Sequence, residues 1–114
     1  MSECTSESGL LNFTRAAAMD LAQHGIRVNS LTPTATDVEE GLERATAWGQ
    51  ERPERRSRVL DFARMLPAGS LPSPRHYARA AVFLASDDAE MITGFDLRVD
   101  AGAIAKYWPW IPNA

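Results

Sequence analysis

The sequence has very little cysteine: Cys4 is the only one among 114 residues. A single thiol cannot form an internal disulfide framework or a multi-cysteine zinc site, and it fits a reducing compartment. Long apolar runs are also missing, since none approaches the roughly 20 residues that a membrane-spanning helix needs. The first nine residues do not combine a basic start with an apolar segment, which is the pattern of a secretory signal. These absences predict a cytoplasmic protein that makes no contact with a membrane.

A surplus of positive charge is missing as well. Twelve Lys and Arg residues stand against fifteen Asp and Glu residues, giving a formal net charge of -3. Nucleic-acid recognition usually needs clustered basic residues, so this class of partner is excluded. The arginine-dense stretch from Arg52 to Arg58 contains Glu54 and is interpreted as a solvated helix face. With 45% hydrophobic and 24% charged residues, the composition is that of one ordinary globular domain.

Apolar side chains that recur every three or four residues predict a first helix over residues 8–24. Its end is marked by Gly25, which can adopt the left-handed conformation of a helix C-cap. His24 lies beside that end, where a partly positive side chain suits the helix dipole. We therefore interpret His24 as a capping or surface residue and not as a catalytic one.

The rest of the chain is predicted to alternate strands and helices. Short alternations of apolar and polar residues indicate strands, helical spacing indicates helices, and Ser73 before Pro74 is typical of a helix start. The predicted order is a strand at 26–31, a charged and mobile helical cover at 38–66, a helix at 73–86, a strand at 92–100 and a tail at 103–114. Strand, helix and strand in this order favour an α/β fold in which the two strands are parallel.

Three segments in this order resemble the short-chain dehydrogenase/reductase family: residues 9–22, which begin Gly-Leu-Leu-Asn-Phe-Thr-Arg; residues 25–33, Gly-Ile-Arg-Val-Asn-Ser-Leu-Thr-Pro; and residues 81–102, which end Val-Asp-Ala-Gly. Together they cover most of the chain. The resemblance implies the C-terminal portion of a Rossmann-type fold, with two parallel strands and flanking helices in one partial domain, 1–114, that oligomerisation would complete. It also implies descent from an oxidoreductase that uses NAD or NADP.

Two family features are missing. No glycine-rich turn follows a strand and opens a helix, so the pyrophosphate cradle is absent. The family places a tyrosine four residues before a lysine, and counting back from Gly9 puts Glu7 at the lysine position and Glu3 at the tyrosine position. A carboxylate pair cannot replace a phenol beside a fixed cation. The two glutamates could form an acid/base pair, but the helix dipole explains acidic residues near a helix start.

The resemblance leaves a residual cofactor site after the first strand. The family usually has Pro-Gly there, with a threonine five residues beyond the proline. In this sequence Pro33 matches the proline and Thr34 replaces the glycine. The threonine position falls on Val38, unless a shorter loop brings Thr36 into its place. The resemblance thus implies Pro33, Thr34 and Thr36 as contacts to one end of a nicotinamide cofactor. The alternative is that these residues make only a turn between a strand and a helix.

The remaining candidate residues have structural explanations. We interpret His76 as a neutral surface residue in the first turn of a helix, and Cys4 as an inert thiol without a nearby histidine. Trp48 and Trp110 are interpreted as packing groups. No metal site is predicted.

Three functions remain open. The first is a catalytically silent part of a short-chain dehydrogenase/reductase, for which no cofactor is expected on the isolated chain. The second is an interaction module, either a homodimer or a partner for a complementary N-terminal polypeptide, with Leu11 and Met19 forming an exposed apolar row on the first helix. The third, a hydrolase-type activity, has little support because no Ser, His and Asp set can be placed together.

Overall fold

The computed structural model describes residues 2–34, 36, 47–49 and 60–105. Its elements are helix α1 at Ser2–Ala22, strand β1 at Ser30–Pro33, helix α2 at Pro74–Ala85, a short 3-10 helix at Asp87–Ala89 and strand β2 at Asp96–Val99. The two strands are parallel and hydrogen-bonded to each other. This confirms the predicted fold class, an α/β arrangement of two parallel strands with flanking helices.

Helix α1 begins at Ser2, six residues before the predicted start at 8, and ends at Ala22. Gly9 lies within it without interrupting it. At the other end Gly25 has a φ of +69°. The amide of Gly25 donates to the carbonyl of Ala22, and that of Ile26 donates to Leu21. These bonds form a Schellman motif, the helix end that Gly25 predicts.

Strand β1 begins later than the predicted range 26–31. Over residues 26–29 the backbone is not paired in a ladder; Val28 N–H donates instead to Thr93 Oγ1 at 3.1 Å, and the carbonyl of Val28 accepts from Gly94 N–H at 2.7 Å. Gly94 has a φ of +71°, which is incompatible with a regular strand. For this reason β2 also begins later than predicted, at Asp96 and not at residue 92.

Helix α2 starts directly after Ser73, close to the predicted range of 73–86. The carbonyl of Ser73 accepts the amide of His76, which closes the first turn. Pro74 occupies the first helical position, where its missing N–H leaves no bond unmade. The sequence signals at this helix start therefore coincide with the observed boundary.

The chain divides into two compact units, one comprising residues 1–32 and 78–98 and the other residues 33–77 and 99–114. Within the first unit, Thr14 and Ala18 of α1 are buried, and so is Ala89. Within the second, Leu66 is 1% exposed and Leu71 is buried. The described residues therefore contribute few fully buried apolar side chains to either unit.

Much of the predicted cover at 38–66 and of the predicted tail at 103–114 lies outside the described residues. Within the cover, residues 60–64 are helical and Leu66 follows them. Trp48 was expected to be a packing group, but its side chain is 71% exposed, so the described residues do not bury it. Trp110 lies outside the described part of the chain.

Candidate functional site

The candidate site lies where β1 ends. Pro33 is the last residue of the strand and its side chain is exposed, whereas the Thr34 and Thr36 side chains are half-buried. In open α/β sheets, ligands bind outside the carboxyl ends of the strands. The three residues identified from the sequence are therefore placed at the end of the strand where this kind of fold forms its sites. Val38, the other candidate threonine position, is outside the described residues.

Tyr77 joins two of these residues. Its hydroxyl donates a hydrogen bond to the carbonyl oxygen of Thr34 at 3.2 Å and accepts one from Thr36 Oγ1 at 3.5 Å. Tyr77 is half-buried, and all three residues belong to the second compact unit. Sequence reasoning missed this residue, because Tyr77 is 43 positions from Thr34 and its spacing places it with Ala80, Ala81 and Leu84 in the apolar stripe of α2.

The start of α2 fixes the position of Tyr77. Nδ1 of His76 lies 2.9 Å from the backbone nitrogen of Ser73 and 2.9 Å from Ser73 Oγ. Because the backbone N–H can only donate, Nδ1 is the acceptor in that bond. The His76 side chain therefore reaches back to the residue before the helix, as a glutamate does in a capping box. The predicted surface histidine is exposed, but it also has a capping role that the sequence pattern did not indicate.

Arg27 connects the segment before β1 to the end of α2. Its guanidinium group donates to the carbonyl oxygens of Leu84 at 2.7 Å, Ser86 at 3.3 Å and Ile92 at 3.4 Å. The last carbonyls of a helix lack partners within the helix and carry partial negative charge, so a cation there is favourable. Arg27 thus holds the C-terminal end of α2 against the residues that lead into β1.

Asn29 makes a second bridge in the same unit. Its side-chain amide donates to the carbonyl of Ile92 at 2.8 Å, and its Oδ1 accepts the amide N–H of Phe95 at 3.1 Å. Arg27 and Asn29 also line a cavity of about 340 Å³ together with apolar residues, namely Leu31, Ala81, Leu84 and Ala85. Both terminal nitrogens of Arg27 and both polar side-chain atoms of Asn29 are bonded to backbone atoms.

Asp96 links the two strands through side chains. Its Oδ1 accepts hydrogen bonds from Ser30 Oγ at 2.8 Å and from Thr32 Oγ1 at 2.6 Å. Ser30 and Thr32 are two positions apart on β1, so they project to the same face of the sheet. This arrangement fixes the pairing of the strands just before Pro33, at the beginning of the candidate site.

The other candidate residues are not brought to this site by any described contact. Glu7 is exposed on α1, and Glu3 belongs to the same helix, one turn before it. His24 lies two residues after the end of α1 and is exposed, which agrees with the capping or surface interpretation. Among the described residues no group of His, Cys, Asp and Glu side chains could hold a metal ion. No helix in the described part of the chain is long and apolar enough to cross a membrane.

The chain matches known proteins over most of its length. The family model described as enoyl-(acyl carrier protein) reductase matches residues 3–103. The uncharacterized oxidoreductase YxbG of Bacillus subtilis is 36% identical over 104 residues, which are 91% of this chain and 37% of that protein. The NAD-dependent glycerol dehydrogenase of Listeria innocua is 34% identical over 103 residues, covering 90% of this chain and 37% of that enzyme.

Solved structures give the same result. The ligand-free aldohexose dehydrogenase of Thermoplasma acidophilum superposes with a TM-score of 0.76 at 27% identity, over 96% of this chain and 43% of that one. The chain thus spans little more than a third of the length of these curated relatives and less than half of this structural neighbour. It belongs to the short-chain dehydrogenase/reductase family and corresponds to the C-terminal part of that fold.

Proposed function

We propose that this chain supplies the nicotinamide end of the cofactor site of an NAD(P)-dependent oxidoreductase, and that it is inactive as a dehydrogenase by itself. Pro33, Thr34 and Thr36 are the residues assigned to that contact. The observation that carries the proposal is the location of these residues at the carboxyl end of β1, with Tyr77 bonded to both threonines. The NAD dependence stated for the Listeria innocua relative supports the choice of cofactor.

The described residues do not fit a whole dinucleotide. Pyrophosphate groups are held by backbone N–H groups at a helix start that follows a glycine-rich turn. No glycine-rich turn precedes α2, and its first residue, Pro74, has no N–H to donate. We therefore assign this chain only the contacts at the nicotinamide end and derive no reaction step from it.

A chimera tests the proposal. The whole chain would replace the matching segment of the Listeria innocua glycerol dehydrogenase, which would contribute its own N-terminal part. We expect the chimera to bind NADH, and we expect Thr36→Val to weaken that binding by about threefold to tenfold, the usual effect of one lost hydrogen bond.

ADP-ribose, which lacks nicotinamide, provides the control ligand for this experiment. Because Thr36 is assigned to the nicotinamide end, its replacement should leave the dissociation constant of ADP-ribose unchanged. Equal weakening of both ligands would indicate a general loss of structure. A folded chimera that binds ADP-ribose normally and shows no effect of Thr36→Val on NADH would contradict the assignment.

A second candidate function, an interaction module, is supported by the surface of α1. Phe13 is 66% exposed and Met19 is 79% exposed, although both are large apolar side chains on the longest helix. Leu10, three residues before Phe13, is 59% exposed as well, and neighbouring exposed apolar groups mark interaction sites. The partner would be a second copy of this chain or a complementary N-terminal polypeptide. The two functions are compatible, because both require a partner before a complete cofactor site exists.

A further inference from the structure

We propose that Tyr77 is a positioning residue that holds Thr34 and Thr36 in the conformation needed at the nicotinamide end of the site. This inference rests on the proposed function of the two threonines. Neither the family resemblance nor the sequence pattern assigns Tyr77 a role beyond the apolar stripe of α2. The assignment comes from the position of its hydroxyl group between two residues that are adjacent to the end of β1.

The hydroxyl makes two different bonds. As a donor it binds the carbonyl oxygen of Thr34 at 3.2 Å, and as an acceptor it receives the proton of Thr36 Oγ1 at 3.5 Å. The shorter bond orients the backbone at Thr34, and the longer one restricts the side-chain rotamers of Thr36. A phenylalanine at this position would keep the ring and lose both bonds.

Tyr77 can act as an anchor because its own position is fixed. It lies in the first turn of α2, immediately after His76, whose ring is bonded to Ser73. The ring of Tyr77 is half-buried, which further restricts its rotamer. Tyr77 thereby connects Thr34 and Thr36, which follow β1, to the capped start of α2.

The anchor lowers the entropic cost of ordering the two threonines when a cofactor binds. Thr34 and Thr36 are half-buried, and each has a polar atom committed to Tyr77. If the bonds to Tyr77 are lost, Thr34 and Thr36 can adopt more conformations. Cofactor binding must then restrict them, and the lost conformational entropy weakens the binding free energy. The expected result is weaker binding of the nicotinamide end with little change in the stability of the fold.

The test uses Tyr77→Phe in the intact chain and in the chimera described above. In the chain, the carbonyl ¹³C chemical shift of Thr34 should change and the amide of Thr36 should exchange faster, while the midpoint of thermal unfolding stays nearly constant. In the chimera, the dissociation constant of NADH should rise about threefold to tenfold and that of ADP-ribose should not change. A purely structural role of the ring predicts no effect of this substitution on any of these quantities.

The outcomes separate this inference from the proposed function. If Thr36→Val weakens NADH binding and Tyr77→Phe does not, Tyr77 is not the positioning residue and the proposed function stands. If Tyr77→Phe alters the shift of Thr34 in the chain but neither substitution affects NADH, the anchor exists but serves no cofactor contact, and both proposals are overturned. An unchanged Thr34 shift would overturn the anchor directly.

Discussion

Gly102 is confined both by its backbone conformation and by a neighbouring ring. Its φ is +83°, a region that residues with a side chain rarely adopt. A β-carbon added to it would lie 2.9 Å from Cβ and 2.9 Å from Cγ of Pro67, closer than real contacts allow. The adjacent backbone bond from Ala68 N–H to the carbonyl of Ala101, at 3.1 Å, holds the same two segments together. Glycine is therefore required here for two independent reasons.

We predict that Gly102→Ala lowers the free energy of unfolding by about 2–4 kcal/mol, the sum of a left-handed backbone penalty and an overpacking penalty. Gly69→Ala is the matched control: its φ is +73°, but no atom lies within 4 Å of the added carbon. This control should lose only the backbone penalty of about 1–2 kcal/mol. Urea unfolding of the two variants measures the difference, and equal losses would contradict the steric contribution of Pro67.

At the scale of elements, the sequence predicted helix ends better than strand starts. Gly25 and Ser73 carry local signals whose physical basis lies within a few residues, and both helices end or begin beside them. The starts of β1 and β2 depend on bonds between segments about 65 residues apart, such as Val28 to Thr93. Alternating polarity at 26–31 and 92–100 did not reveal that the backbone there would bond to side chains.

At the candidate site, the sequence indicated the residues near the end of β1 but not the residue that bonds to them from α2. Family resemblance gave Pro33, Thr34 and Thr36, because these residues are close in sequence to the end of a strand. Tyr77 could not be found from spacing, since only the folded chain brings its hydroxyl to Thr34. The capping role of His76 was not predicted, because a capping box usually has Glu or Gln at this position. Here the His76 ring accepts the backbone N–H of Ser73 instead.

The bonds of Arg27 at the end of α2 are predicted to stabilise the fold. Replacing Arg27 with Leu removes the donors to three carbonyl oxygens and the cation at the helix end, so we expect a loss of about 1–3 kcal/mol in the free energy of unfolding. Arg79→Leu, at an exposed position of the same helix, should change it by less than about 0.5 kcal/mol. Denaturation at one fixed protein concentration measures both, and similar effects would refute the role of Arg27 at the helix end.

At the scale of the whole molecule, the apolar side chains of α1 require a cover. The buried hydrophobic residues in the described part of the chain are Ala18, Leu66, Leu71 and Ala89. Leu11 was predicted to be exposed beside Met19, but Leu11 is half-buried and only Met19 is fully exposed. Leu11 contributes to the packed side of the helix because Thr14 and Ala18, three and seven residues further on, are buried there.

We predict that the chain forms a dimer through α1. Phe13→Asp combined with Met19→Asp places two charges on exposed apolar positions and should produce monomers that unfold without a cooperative transition, because folding and association are coupled. Ser70→Asp combined with Ala78→Asp adds the same charge at exposed positions outside α1 and should leave the assembly unchanged. Sedimentation at micromolar concentration distinguishes them, and a wild-type chain that is a stable monomer would exclude the interface.

The most direct test of the account is a calorimetric titration of the purified chain with NADH and NADPH. The chain contains residues assigned to one end of the cofactor, whereas no glycine-rich turn that could hold the pyrophosphate opens a described helix. We predict no binding in the micromolar range for either cofactor, and measurable NADH binding once the chain is joined to the N-terminal part of its glycerol dehydrogenase relative. A micromolar dissociation constant for the chain alone would contradict the account.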